Sequence, residues 1–239
     1  MSDIPRAERL IAALDVPDAA QARALVEKLG DAVRFYKIGL ELSSTEGYYE
    51  LLAWLTARGN KVFADLKLYD IPETVRRAVG NLRSRGATFL TVHGHRSVMA
   101  AAAGEKGTMQ ILAVTVLTSF DQRDIDEMRG STGGSLSVDQ IVLARARGAL
   151  ETGCDGVIAS GLEAPKLKAE FGKRLLIVTP GIRPAEARPS DDQKRTVDVA
   201  QAFAGGADYI VVGRPIRDAA DPRAAAQAIQ ATIARAFPA

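Results

Sequence analysis

The chain is short of several things, and each absence closes off a class of function. It has a single cysteine in 239 residues, so neither a disulfide framework nor a cysteine-based metal site can form within it. Cys154 follows Gly153 and precedes an apolar run, and it reads as a small core residue. No apolar run approaches the ~18 residues of a membrane span. The opening Met1-Ser2-Asp3-Ile4-Pro5-Arg6 lacks the apolar region of a signal peptide, so no membrane association and a cytoplasmic location are expected. The 31 Lys and Arg residues are interspersed with 29 Asp and Glu, giving a net charge of only +2. Without a basic run or an aromatic-basic motif, nucleic-acid binding is not expected. No G-x-G-x-x-G follows a predicted strand and no H-E-x-x-H occurs, so the sequence offers no motif for a cofactor or a metal.

What is present is ordinary globular material, 47% hydrophobic and 25% charged. Eight short apolar runs read as strands: Leu10 to Leu14, Ala32 to Ile38, Val62 to Leu66, Thr88 to Val92, Ile111 to Val116, Gly156 to Ala159, Leu175 to Val178 and Tyr209 to Val212. Amphipathic stretches lie between them. Asp18 precedes Ala19 to Leu29 with Gly30 behind, and Thr45 precedes Gly47 to Arg58 with Gly59 behind, as helix start and stop signals require. Trp54, beside Leu51, Leu52 and Leu55, reads as a packing residue, and Val98 to Ala103 as helix by propensity. Strand-helix units repeating every ~28 residues fit a (β/α)8 TIM barrel better than a doubly wound sheet. With no linker-like segment, residues 1–239 are expected to form a single α/β domain. Two connections are long: Thr118 to Val138, with helix expected near Asp124 to Met128, and Pro180 to Arg195. Long loops in compact domains are usually functional or disordered.

One stretch breaks the apolar pattern with charge: Lys61-Val62-Phe63-Ala64-Asp65-Leu66-Lys67-Leu68-Tyr69-Asp70-Ile71-Pro72-Glu73-Thr74. A strand's period of two puts Asp65 and Lys67 on the face of Phe63, opposite Val62, Ala64 and Leu66. Charges inside a barrel are costly unless paired. Two readings stay open on these residues alone: an ion pair that only fixes the strand, or a catalytic pair. Asp70 and Glu73 fit an N-cap and N3 capping box, with Pro72 in the first turn. Other polar residues also sit where strands meet their loops, the end on which barrel active sites are built. Asp15 ends the first strand and Lys37 lies near the end of the second. Lysine is seldom buried without a partner.

Seven segments in order carry a resemblance: Leu14-Asp15; Tyr36-Lys37-Ile38-Gly39; Phe63 to Thr74; Val116-Leu117-Thr118-Ser119; Thr179-Pro180-Gly181-Ile182-Arg183; Asp192-Gln193; and Val212-Gly213-Arg214-Pro215-Ile216. Together they resemble the orotidine 5′-phosphate decarboxylase family, which makes UMP, over nearly the whole chain. The resemblance implies cofactor-independent decarboxylation of orotidine 5′-monophosphate. Lys67 would be the proton donor in a charged array with Lys37, Asp65 and Asp70. Asp15 and Lys37 would hold ribose hydroxyls, and Thr118 and Ser119 would sit by the pyrimidine. Pro180, Arg183, Gln193, Gly213 and Arg214 would bind the substrate, the last four at its phosphate, and Gly181 to Arg195 would be a lid. The resemblance also implies a homodimer in which Asp70 and Thr74 enter the neighbouring subunit's site.

Gly213-Arg214 after the eighth strand has its own physical logic, since glycine admits a phosphate closely and a guanidinium can grip it with two bonds. His93, His95 and Arg96 receive no role from the resemblance and are expected either to support the residues of the site from behind or to be plainly structural. The third-strand motif is shared with Mg²⁺-dependent barrel enzymes that act on sugar phosphates, a keto-gulonate phosphate decarboxylase or a hexulose phosphate synthase. The Leu117-Thr118-Ser119 and Thr179 to Arg183 segments argue against that alternative. A catalytically silent phosphate-binding barrel or structural dimer need not keep Lys37, Asp65, Lys67 and Asp70 together.

Overall fold

A computed structural model describes residues 4–129, 136–183 and 195–238. Eight parallel strands close into a barrel in sequence order: β1 Leu10–Ala13, β2 Phe35–Gly39, β3 Lys61–Leu68, β4 Phe89–His93, β5 Gln110–Val114, β6 Gly156–Ile158, β7 Leu176–Thr179 and β8 Tyr209–Val212. Around them run α1 Ala19–Leu29, α2 Leu40–Ser43, α3 Tyr48–Ala57, α4 Pro72–Arg83, α5 Arg96–Glu105, α6 Gln122–Arg129, α7 Val138–Thr152, α8 Ala164–Phe171, α9 Val199–Ala204, α10 Arg214–Arg217 and α11 Pro222–Ala236. Each of the eight expected strands is found. Among the described residues no helix is long and apolar enough to cross a membrane.

The local grammar holds in places and fails in others. Asp18 caps α1 as expected, accepting from Gln21 N–H. Thr45 does not cap α3. Its hydroxyl donates to Leu42 O at 2.8 Å and closes α2, while Gly47, at φ 85°, stands before Tyr48. The second apolar run starts late because Gly30–Ala32 forms a 3₁₀ turn, and β2 begins at Phe35.

Alternation along the strands sorts the core into two shells. Val62, Ala64, Ile38 and Leu90 face the helices in the larger cluster. Cys154 is buried there, and Trp54 packs against its edge beneath the guanidinium groups of Arg23 and Arg58. Inside the barrel, Phe35, Phe63, Phe89 and Tyr209 pack ring against ring, with centroids 4.9 to 6.0 Å apart. Phe35, Phe89 and Tyr209 begin their strands, so the aromatic layer fills the N-terminal half of the barrel. The residues above it are smaller, among them Ala13, Val114, Ile158 and Val211. That change of volume leaves room at the C-terminal end.

Candidate active site

Two residues beyond the aromatic layer, the inward-facing positions become charged. On β2 the inner position after Phe35 is Lys37, and on β3 the one after Phe63 is Asp65. The register pairs Lys37 with both Ala13 and Phe63, and Gly39 with Asp65. Asp15, following β1, completes the set. Lys37 Nζ lies 2.8 Å from Asp15 Oδ1 and 3.5 Å from Asp65 Oδ2, and Lys67 Nζ lies 2.8 Å from that same Asp65 oxygen. The result is a row of alternating sign, Asp15, Lys37, Asp65, Lys67.

Burial alone would raise the Asp65 carboxyl, but the ammonium groups of Lys37 and Lys67 and the hydrogen bonds from Lys67 and Thr91 hold it below its ordinary range. Burial would likewise lower Lys37, yet the Asp65 and Asp15 carboxylates outweigh it and raise that amine. Asp65 and Lys37 are therefore both charged at neutral pH. A Cβ at Gly39 would lie 3.1 Å from Lys37 Nζ, so the bare backbone there leaves the ammonium its space.

Lys67 itself departs from regular strand geometry. Its φ is 47°, in the left-handed region that costs a residue with a side chain roughly 1–2 kcal/mol. The β3–β4 register shifts between Ala64 and Leu68 at the same place. The Lys67 N–H donates to Thr91 Oγ1 at 3.0 Å, and that hydroxyl donates to Asp65 Oδ1 at 2.8 Å.

This row forms one wall of a cavity of about 330 Å³ at the C-terminal end of the barrel. Lys37, Asp65, Lys67 and Asp15 line one side, Thr118 and Ser119 another, and Pro180, Gly181, Arg183, Gly213 and Arg214 a third. A Cβ at Gly213 would meet nothing nearer than Ala13 Cβ at 3.6 Å and Asp15 Oδ2 at 3.7 Å, so packing within the chain does not demand glycine there. Cations from different strands thus line one cavity, Lys67 on β3 and the arginines after β7 and β8.

The model of the orotidine 5′-phosphate decarboxylase / HUMPS family matches residues 8–229. The chain belongs to this family. A protein named orotidine 5′-phosphate decarboxylase from Methylococcus capsulatus is 58% identical over 234 residues, covering 98% of this chain and 95% of that protein. One of the same name from Rhodopseudomonas palustris is 51% identical over 231 residues, covering 96% of each. The crystal structure of orotidine 5′-phosphate decarboxylase from Lactobacillus acidophilus superposes with a TM-score of 0.81 at 37% identity, covering 95% of this chain and 99% of that one.

Some positions that the family resemblance singles out do not reach the chain's own cavity. Asp70 and Thr74 are exposed on the β3–α4 connection and the first turn of α4. The expected capping box is absent. Ile71 precedes α4, Asp70 Oδ1 accepts from Ile71 N–H at 2.7 Å, and Glu73 is held by Arg76 and Arg77. Pro72 at the first helical position moves the start of α4 one residue too far for Asp70 to cap it. Gln193 and most of the expected lid lie outside the described residues.

The ends of that segment are tied down. Ile182 bridges to Val197, and Arg195 is buried, ion-paired to buried Glu163, with Nη2 donating to Val116 O and Leu117 O. Arg195 is thus an anchor at the edge of the expected lid. Sequence reading also missed Arg217, which lines the cavity from α10 and donates to Asp15 O at 2.5 Å. Its i, i+3 spacing from Arg214 was the available signal. His93 and His95 flank the Tyr69 ring, with centroids 5.1 and 4.7 Å away. Burial and nearby positive charge hold both imidazoles below their ordinary pKa.

Proposed function

We propose that this protein decarboxylates orotidine 5′-monophosphate to UMP and CO₂, using its own side chains in place of a cofactor. The observation that carries the reading is the Asp15, Lys37, Asp65, Lys67 row, buried at Lys37 and Asp65, facing a cavity that Arg183 and Arg214 also line. Loss of CO₂ from C6 of the pyrimidine leaves an electron pair in the plane of the ring, where no ring carbonyl can delocalise it. The charge needs a cation held ready in a dry site. Lys67 fills that role, stabilising the developing carbanion and then giving it a proton. Solvent returns the proton to the amine after product leaves.

Asp65 faces the substrate carboxylate in this reading. Repulsion between them, relieved as CO₂ departs, is on the order of 4 kcal/mol at ~4 Å and an effective dielectric of about 20. Enzymes lower barriers by roughly 8–23 kcal/mol, so repulsion is the smaller share. The larger share falls to Lys67 and to substrate binding that excludes water. Asp15 and Lys37 hold the ribose hydroxyls, Thr118 and Ser119 meet the pyrimidine, and Pro180, Arg183, Gln193, Gly213 and Arg214 complete the substrate site, the last four at its phosphate.

A homodimer belongs to the same proposal. Asp70 stands between Tyr69 and Ile71, 61% and 67% exposed, on a surface that a second subunit would cover. Asp70 and Thr74 then enter the partner's cavity. A cytoplasmic location completes the picture. Among the described residues Asp15 and Asp65 are the carboxylates that line the cavity, and lysines engage both, an arrangement that favours this reaction over the Mg²⁺-dependent sugar-phosphate alternative. The deciding experiment follows the loss of orotidylate absorbance with purified protein, with and without EDTA. Turnover that survives chelation is expected; no turnover, or turnover restored only by Mg²⁺, would refute the reading.

A further inference from the structure

Thr91 lies on β4 at the inner position after Phe89, and none of its surface is exposed. Its single hydroxyl has one proton to give and lone pairs to receive. Here it gives the proton to Asp65 Oδ1 at 2.8 Å and receives the Lys67 N–H at 3.0 Å. The other Asp65 oxygen faces both ammonium groups, Lys67 at 2.8 Å and Lys37 at 3.5 Å. One carboxylate oxygen is therefore fixed by Thr91 and one by the lysines, which sets the plane of the carboxylate. The same hydroxyl supplies an acceptor to Lys67 N–H where the β3–β4 register shifts and φ turns positive.

We propose that Thr91 is a positioning residue of the decarboxylation, holding the Lys67 backbone and the Asp65 carboxylate in one geometry through a single hydroxyl. The inference rests on the reading of the reaction given above. Thr91 does not line the cavity and touches no substrate; it acts through Asp65 and Lys67. A group that positions the reacting amine alters the chemical step more than ground-state binding. A merely structural threonine would alter stability instead.

Two pairs of proteins, wild type among them, separate these roles. Thr91 and Thr91→Val differ by a hydroxyl at nearly constant shape, and Thr91→Ser and Thr91→Ala differ by a hydroxyl without the methyl. Each protein is assayed for kcat and KM with orotidine 5′-monophosphate, for UMP affinity and for Tm. The expectation is that both hydroxyl-free variants lose kcat on the order of tenfold to a hundredfold, with KM and UMP affinity within about threefold. Thr91→Ser keeps kcat within about threefold of wild type although it too loses the methyl. Should Thr91→Val not fold, the Ser and Ala pair decides alone. Equal kcat within either pair, or a Thr91→Ser as impaired as Thr91→Ala, overturns the role of Thr91 while leaving the reaction intact. A wild-type protein that does not consume the substrate overturns the reaction itself, and this inference with it.

Discussion

Lys67 Nζ stands 2.8 Å from Asp65 Oδ2, two residues back on the same strand, while the Lys67 backbone sits at φ 47°. A regular strand would also place the two side chains on one face, so the left-handed turn is an added cost rather than a requirement of alternation. That cost is roughly 1–2 kcal/mol. A hydrogen bond to a charged group contributes about 1.5–3 kcal/mol, enough for the contacts with Asp65 and Thr91 to hold the conformation. The strain is what one expects where a side chain is aimed for chemistry.

If Lys67 both stabilises the carbanion and protonates it, removing the amine removes two contributions together. General-acid catalysis and electrostatic stabilisation are each worth at least about a hundredfold. Lys67→Ala is therefore expected to lose at least roughly ten-thousandfold in kcat while still binding UMP. Single-turnover assays and UMP titration check this; near-normal turnover would remove Lys67 from the chemistry.

The eight strands were legible because each is a short apolar run between amphipathic stretches, and the shared face of Asp65 and Lys67 because strand alternation is a local property. What sequence reasoning missed is set by tertiary contact. Thr91 looks like any β-branched strand residue until its hydroxyl is found between Asp65 and Lys67. Arg195 looks like a loop residue until Glu163, thirty-two positions earlier, is found beside it in the interior. Asp70 fitted a cap on paper, and only the placement of Pro72 shows that α4 starts beyond its reach.

Arg214 begins α10 at the cavity's edge, beside the open backbone of Gly213. A guanidinium that grips phosphate contributes about 1.5–3 kcal/mol. Arg214→Ala should lower kcat/KM for orotidine 5′-monophosphate by about tenfold to a hundredfold, with most of the change in KM. Added inorganic phosphite should inhibit the wild type more strongly than the variant. Unchanged steady-state kinetics would release Arg214 from the phosphate.

Asp70 and Thr74 lie outside the chain's own cavity, so a site shared between subunits makes a strong demand. Lys67→Ala and Asp70→Asn homodimers should both be nearly inactive. Unfolded together and refolded as a mixture, they form heterodimers in which one of the two sites has both native residues. Recovery of about a quarter of wild-type activity is expected from random pairing in a two-fold dimer. Sedimentation of the wild type should give a dimer. A monomer, or mixing without recovery, would place Asp70 elsewhere.

The charged row also predicts how stability depends on pH. Asp65 has its carboxyl lowered from the ordinary 3.8 in the folded state, with burial opposing and the two lysines prevailing. Its stabilisation is present above the unfolded value of about 3.9 and is lost as pH falls through the lower folded value. Lys37 is raised from the ordinary 10.5. Its stabilisation is complete below about 10.4 and is lost as pH rises through the higher folded value. The stability gap between wild type and Asp65→Asn, measured by urea denaturation, should stay flat from about pH 5 to pH 9 and shrink at the acid end, as Asp65 is protonated, and at the alkaline end, as Lys37 loses its proton. A gap that closes near neutral pH would mean that the row is not ionised as described.

Glu163 and Arg195 form a buried ion pair, 4% and 8% exposed. Arg195 Nη2 also donates to Leu117 O at 2.9 Å, next to Thr118, so the pair joins the chain after residue 194 to the turn that follows β5. Removing the cation alone strands a carboxylate in the interior, a loss of about 3–5 kcal/mol. Replacing both charges with neutral groups leaves no charge stranded there, although Val116 O and Leu117 O still lose the Arg195 donor. Arg195→Met should therefore lower unfolding stability more than Arg195→Met combined with Glu163→Gln, a non-additivity readable by urea denaturation. The single variant should also raise KM, because the Thr118 turn loses its tether. If the double variant is as unstable as the sum of its parts, the two side chains act independently and the anchor is packing rather than charge.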